Sequence, residues 1–83
     1  MNANEARLLT KQNVKRQNEI TKLINDGERK IKYACENGKR QSDIYAGWVD
    51  NGRPRYPEVI EHFEKLGYEL RYIYGTNLFD IFW

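Results

Sequence analysis

The chain has one cysteine, one histidine and one serine among 83 residues, and only two prolines. A single cysteine, Cys35, excludes an internal disulfide and suits a reducing compartment. The longest apolar stretch is a few residues, far short of the ~20 needed to span a bilayer, so no membrane segment is expected. The opening Met1-Asn2-Ala3-Asn4-Glu5 has neither a basic nor an apolar leader region, and no signal peptide is expected. Asn2 excludes N-myristoylation.

The same scarcity limits the chemistry. A Ser-His-Asp arrangement would need Ser42, His62 and either Asp43 or Asp80, yet Ser42 sits in no nucleophile elbow. Cys35 with His62 could form a thiolate pair, but Cys35 falls beside Ala34 in an apolar helix stripe and reads as a small buried hydrophobe. Glu58 and His62 stand four apart on one helix; one imidazole with carboxylates makes a poor metal site. Glu69-Leu70-Arg71 faintly suggests the carboxylate-x-lysine of some nucleases, with arginine where lysine belongs. Gly47, Gly52 and Gly75 are isolated and form no phosphate loop. The expectation is a non-enzyme with no catalytic residues, metal or cofactor.

What the chain does have is charge and aromatics, unevenly spread. Net charge is only +2 and mean hydropathy is -0.89, polar for a globular chain, yet aromatics reach 13%, which argues against disorder. Residues 1–40 hold ten Lys/Arg against five Asp/Glu, while residues 41–83 hold four against seven. Ten of the eleven aromatics follow residue 40. A basic, aromatic-poor front thus precedes a mildly acidic, aromatic-rich back. A chain this short allows one small domain, which buries only roughly 60–65% of its unfolded surface.

The front reads as one helix over about 5–37, roughly 50 Å long. Asn2 with Glu5 fits a capping box, Asn4 is an equal candidate for the cap, and Asn37-Gly38 fits the stop. Ile20, Leu23, Ile24, Gly27, Ile31, Ala34 and Cys35 share one face, with Ala6 and Leu9 in phase. Asn13, Arg16 and Gln17 interrupt that face. The spacing therefore predicts a single domain, 1–83, built as a core over 19–83 with a loosely packed helical arm over 1–18, and a possible kink at Asn25-Asp26-Gly27.

The back alternates. Asp43–Asp50 reads as a strand with Ile44, Ala46 and Trp48 on one face and Tyr45 and Val49 on the other. Asn51-Gly52-Arg53-Pro54 is turn chemistry, and Pro57 opens a helix whose apolar stripe is Val59, Ile60, Phe63 and Leu66, ended by Gly67. Two strands, 68–74 and 78–83, flank Gly75-Thr76-Asn77. A two-residue loop with Gly75 first would oppose Leu70 to Ile81, Tyr72 to Phe79, Arg71 to Asp80 and Glu69 to Phe82. The fold class is α+β, a long helix, strand, helix and β-hairpin, with a three-stranded sheet covered on one face.

Glu5-Ala6-Arg7 with Leu9-Thr10, spaced isoleucines leading to Ala34 and Gly38-Lys39, then Val59-Ile60, Leu66-Gly67-Tyr68 and Ile81-Phe82-Trp83 complete the pattern. It resembles small tailed-bacteriophage proteins that open on an E-A-R helix and end on an L-G-Y strand and an I-x-W terminus. Ser42–Tyr56 lies outside the resemblance. The resemblance implies a viral protein in the cytoplasm of an infected bacterium, or in the virion, and supplies no mechanism.

Two surfaces suit contact. Arg7, Lys11, Lys15, Lys22, Arg29 and Lys32 fall within about 100° on the helix, opposite the isoleucine face, with Glu36 on the same side and Tyr33 the one aromatic near them. The predicted register leaves Tyr45, Val49, Arg71, Ile73, Leu78 and Phe82 on the far face of the sheet, beside Asp80; residues 1–18 folding back over it is the alternative. The leading expectation is a non-catalytic accessory protein that binds a host or phage macromolecule as an inhibitor or adaptor in host takeover. A virion structural or self-assembling homo-oligomeric component comes second. A nucleic-acid-binding module using the basic stripe comes third, and no membrane partner is expected.

Overall fold

The computed structural model describes all residues, Met1–Trp83. Helix α1 runs unbroken from Ala3 to Glu36, straight through Asn25-Asp26-Gly27, where the sequence allowed a kink. Asn2 is the cap: its Oδ1 accepts from the Glu5 backbone N–H at 2.9 Å while its Nδ2 donates to Glu5 Oε1 at 3.3 Å. At the other end Gly38 N–H donates to the Cys35 carbonyl and Lys39 N–H to the Ala34 carbonyl, the paired bonds of a Schellman stop. Gly27 is a point of close approach: a Cβ there would lie 2.9 Å from Phe63 Cζ and 3.2 Å from Ile44 Cγ2.

Strand β1, Gln41–Tyr45, ends sooner than the alternation predicts. Gly47 has φ +89, buried against Arg55 and Tyr56 where a Cβ would meet side-chain atoms at 2.8 Å. Tyr56 N–H donates to the Ala46 carbonyl and Arg55 N–H to the Trp48 carbonyl, so one extra residue stands on the Gly47 side, a bulge. The bulge turns the chain into a separate ribbon, β2 (Val49–Asp50) paired with β3 (Arg53–Pro54). Asn51 and Gly52, both at positive φ, form its two-residue turn. Two expectations fall with the bulge. Trp48, expected on the covered face, is 68% exposed, and Val49, expected on the far sheet face, packs against the core from β2.

Helix α2, Pro57–Lys65, ends in the same stop as α1, with Gly67 bonded to the Glu64 carbonyl and Tyr68 to the Phe63 carbonyl. The Phe63 and Tyr68 rings meet edge to face at 5.9 Å, the apolar contact that accompanies this motif. Val59 and Phe63 are fully buried and Ile60 half-buried, but Leu66, the C-cap residue of α2, is exposed.

Strands β4 (Glu69–Tyr72) and β5 (Leu78–Phe82) pair in the predicted register, with Arg71 opposite Asp80 and Leu70 opposite Ile81. The turn differs. Thr76 N–H donates to the Ile73 carbonyl and Ile73 N–H to the Leu78 carbonyl, so Gly75 is the third residue of a β-turn rather than the first of a two-residue loop. Its φ of +83 is what a type II turn needs at that place. The register survives because apolar matching across the strands fixes it independently of the turn.

The sheet order is β1-β5-β4, all antiparallel. The covered face presents Ile44, Phe79 and Ile81 to α1 and α2, closing a core with Ile20, Leu23, Ile31, Val59 and Phe63. The molecule measures 54 × 27 × 18 Å, with a radius of gyration of 15.2 Å. A compact chain of this length has roughly 12 Å, and the excess is the front of α1.

Candidate interaction surfaces

Every residue from Met1 to Lys15 is exposed. The front of α1 does not fold over the sheet; it projects. Its root is held by Arg16, which the sequence marks only as a charge in an apolar phase. The Arg16 guanidinium pairs with both carboxylate oxygens of Glu58, donates to the Arg55 carbonyl at 3.4 Å and lies 5.1 Å over the Tyr56 ring. Glu58 sits in the first turn of α2, so the clamp joins the arm's base to the second helix. The hydrogen bond from Arg16 holds the Glu58 carboxyl below the usual glutamate range, against a smaller opposing effect of burial. The same bond raises the Arg16 pKa.

The helix sorts its cations by side. Arg16 and Lys30 point towards the rest of the fold and are paired with carboxylates from other elements, Lys30 with Asp43 at 2.7 Å. Arg7, Lys11, Lys15, Lys22, Arg29 and Lys32 lie on the opposite side and are all exposed. Among these six only Arg29 has an ion pair, with Asp26 one turn away. Arg7 donates to Asn4 Oδ1 at 3.3 Å. The expected stripe is therefore one open surface, and the acidic helix α2 lies behind α1.

The far sheet face is also open. Register places Gln41, Phe82 and Glu69 in one cross-strand row, Asp43, Asp80 and Arg71 in the next, and Tyr45 with Leu78 in a third that continues to Ile73. Arg71 lies 5.4 Å over the Phe82 ring, while Ile73, Leu78 and Phe82 are half-buried. Of the six residues expected there, five share the face and Val49 does not.

The groups weighed for catalysis are kept apart. Ser42 opposes Ile81 on the covered side of the sheet, whereas Asp43 and Asp80 oppose each other on the far side. Glu58 is engaged by Arg16, and His62 faces Glu28 instead, with Nε2 buried, unbonded and 3.6 Å from the carboxylate. Cys35 is exposed, because the buried stripe at the helix end narrows to Ile31 and Ala34. No three His, Cys, Asp or Glu side chains converge as metal ligands. No family model, curated protein or solved structure matches the chain.

Proposed function

We propose that the protein acts by contact, as a non-catalytic module that engages a macromolecular partner through the projecting half of α1. The carrying observation is the uncovered arm: a helix of about 24 Å, residues 3–18, capped at Asn2, clamped at Arg16 and with every other side chain exposed. Short helices without tertiary support are marginal in water, so this one depends on propagation from the buried half and on its cap. A partner laid along it would supply the missing support. The resemblance to tailed-phage proteins, if it reflects origin, makes that partner a host or phage macromolecule.

The test is immobilised full-length protein exposed to bacterial lysate, with and without nuclease, beside the variant Lys11→Glu/Lys15→Glu/Lys22→Glu. A stoichiometric partner that the variant fails to retain supports this reading. Retention of nothing by the parent in either sample sinks it.

A second reading is self-assembly through the far sheet face, favoured by the apolar row of Tyr45, Leu78 and Ile73 and by Phe82 two rows along, across the Asp43–Asp80–Arg71 row. Phe82→Ser should then lower the mass measured by light scattering while leaving the melting curve cooperative. A monomeric parent protein removes this reading.

A further inference from the structure

The sorting of cations on α1 identifies a partner chemistry. We infer that the basic stripe docks on the phosphate backbone of duplex DNA, an inference that rests on the contact reading above and names its partner. Arg7, Lys11, Lys15, Lys22 and Lys32 are exposed cations without a carboxylate partner, spread over about 38 Å of one helix side. Between Asn4 and Lys32 the residues interleaved on that side are Val14, Asn18 and Asn25; the two asparagines donate hydrogen bonds, and none of the three carries a negative charge. Asp26 flanks the stripe and is taken up by Arg29, and the first carboxylate within the stripe itself is Glu36, at the far end.

Charge placement also fixes the direction of approach. Glu58, Glu61 and Glu64 are on α2, which packs on the side of α1 marked by Arg16 and Gly27, opposite the stripe. A polyanion meeting the stripe has the body of α1 between it and those carboxylates. A polyanion arriving from the other side meets them first. With a net charge of only +2, binding must come from this separation rather than from overall attraction.

Shape favours a duplex of B form. A helix with side chains is about 10–12 Å across and the B-DNA major groove about 12 Å wide, whereas the deep, narrow major groove of duplex RNA admits no helix. Single strands are held by stacking bases on aromatic rings, and the stripe has only Tyr33 at its edge. The projecting arm is open to the groove over residues 3–11, and only Arg55 and Tyr56 lie near its root at Gln12 and Lys15. Point charges and amides along a backbone imply binding with little sequence preference.

The experiment is fluorescence anisotropy of a labelled 20-base-pair duplex of mixed sequence with the full-length protein, between 50 and 200 mM NaCl. Five phosphate contacts predict a loss of affinity of roughly 500-fold across that range, from a logarithmic slope of about −4.5. The variant Lys11→Gln/Lys15→Gln/Lys22→Gln, checked for an unchanged melt, should flatten the loss to roughly 12-fold. Arg53→Gln, an exposed cation in β3, should leave both affinity and slope as they were. An unchanged slope in the triple variant overturns the inference, as does absence of duplex binding at 50 mM salt. Equal affinity for poly-glutamate or for one strand of the duplex also overturns it, the first pointing to an acidic protein. If a nuclease-treated lysate yields a stripe-dependent protein while the duplex is ignored, the DNA inference falls and the contact reading stands. If neither sample yields a partner and the duplex is ignored, both fall.

Discussion

One helix contains two different environments. From Ile20 to Ala34 its inner side carries Ile20, Leu23, Gly27, Ile31 and Ala34, all buried against sheet and α2. From Ala3 to Lys15 the same side carries Ala6, Leu9 and Asn13, all exposed. Backbone geometry is the same in both halves, and so is the hydrogen-bonding pattern. What differs is that the rear half exchanges water for side-chain contacts at about 25 cal/mol per Å² of apolar area, and the front half exchanges nothing. Helicity in the front is inherited along the chain, while helicity in the rear is enforced by packing. The boundary between them is Arg16, where a charge in the apolar phase becomes a clamp instead of a misplaced core residue.

The sharpest way to break the comparison is to cut the packing in one half only. Phe63→Ala removes a fully buried ring that touches Gly27 and Tyr68, and should cost about 3–5 kcal/mol in urea unfolding. That is a large part of what a domain of this size holds. Leu9→Ala, on the same side of α1 but exposed, should stay within about 0.5 kcal/mol. A comparable loss for both would mean that the arm has a tertiary partner after all.

A smaller effect reverses sign between the halves. Adding one methyl to Gly27 improves helix propensity by about 1 kcal/mol but forces a Cβ to 2.9 Å from the fully buried Phe63 ring, a strain of roughly 1–3 kcal/mol. Gly27→Ala should therefore lower the melting temperature. Asn13→Ala has the propensity gain without the crowding, and should raise helicity by circular dichroism with little change in the melt. A stabilised Gly27→Ala would show that the Phe63 ring yields and that the two halves are less distinct than their burial implies.

Much of this division is legible in the sequence because it is local. Caps at Asn2 and Gly38 and the 3.6-residue period of the isoleucines define the helix, and Asn13, Arg16 and Gln17 announce where burial stops. Hairpin register is legible for the same reason, since Arg71 with Asp80 and Leu70 with Ile81 match only one way. Apart from the type of turn at Gly75, the larger failures are non-local. Ala46-Gly47-Trp48 alternates as a strand should, and only the close approach of Tyr56, nine residues on from Gly47, forces the bulge that exposes Trp48 and draws Val49 inward. Periodicity gives the phase of a buried stripe but not its width, hence the exposure of Cys35 and Leu66. Arg16 and Glu58 are 42 residues apart, and no spacing rule reaches that far. A cation in phase with an apolar stripe was the available signal, and it points to a carboxylate partner somewhere without saying which.

That clamp offers the finest test of where the arm begins. Glu58 is held below its ordinary pKa by Arg16, so its charged form is favoured in the folded state. The stabilisation is fully present above the unfolded glutamate value of about 4.3 and is lost as pH falls through the lower folded value. Arg16, its own pKa raised, stays protonated throughout. Both side chains are about two-fifths exposed, so global stability should respond only weakly. The local response is what matters: amides from Gln12 to Asn18 should lose hydrogen-exchange protection on acidification before those from Ile20 to Ala34 do. Glu58→Gln should produce that loosening at neutral pH and remove its pH dependence. If protection at the arm's root ignores both the acid and the substitution, Arg16 is not what anchors it, and the boundary between packed and inherited helix lies nearer to Ile20.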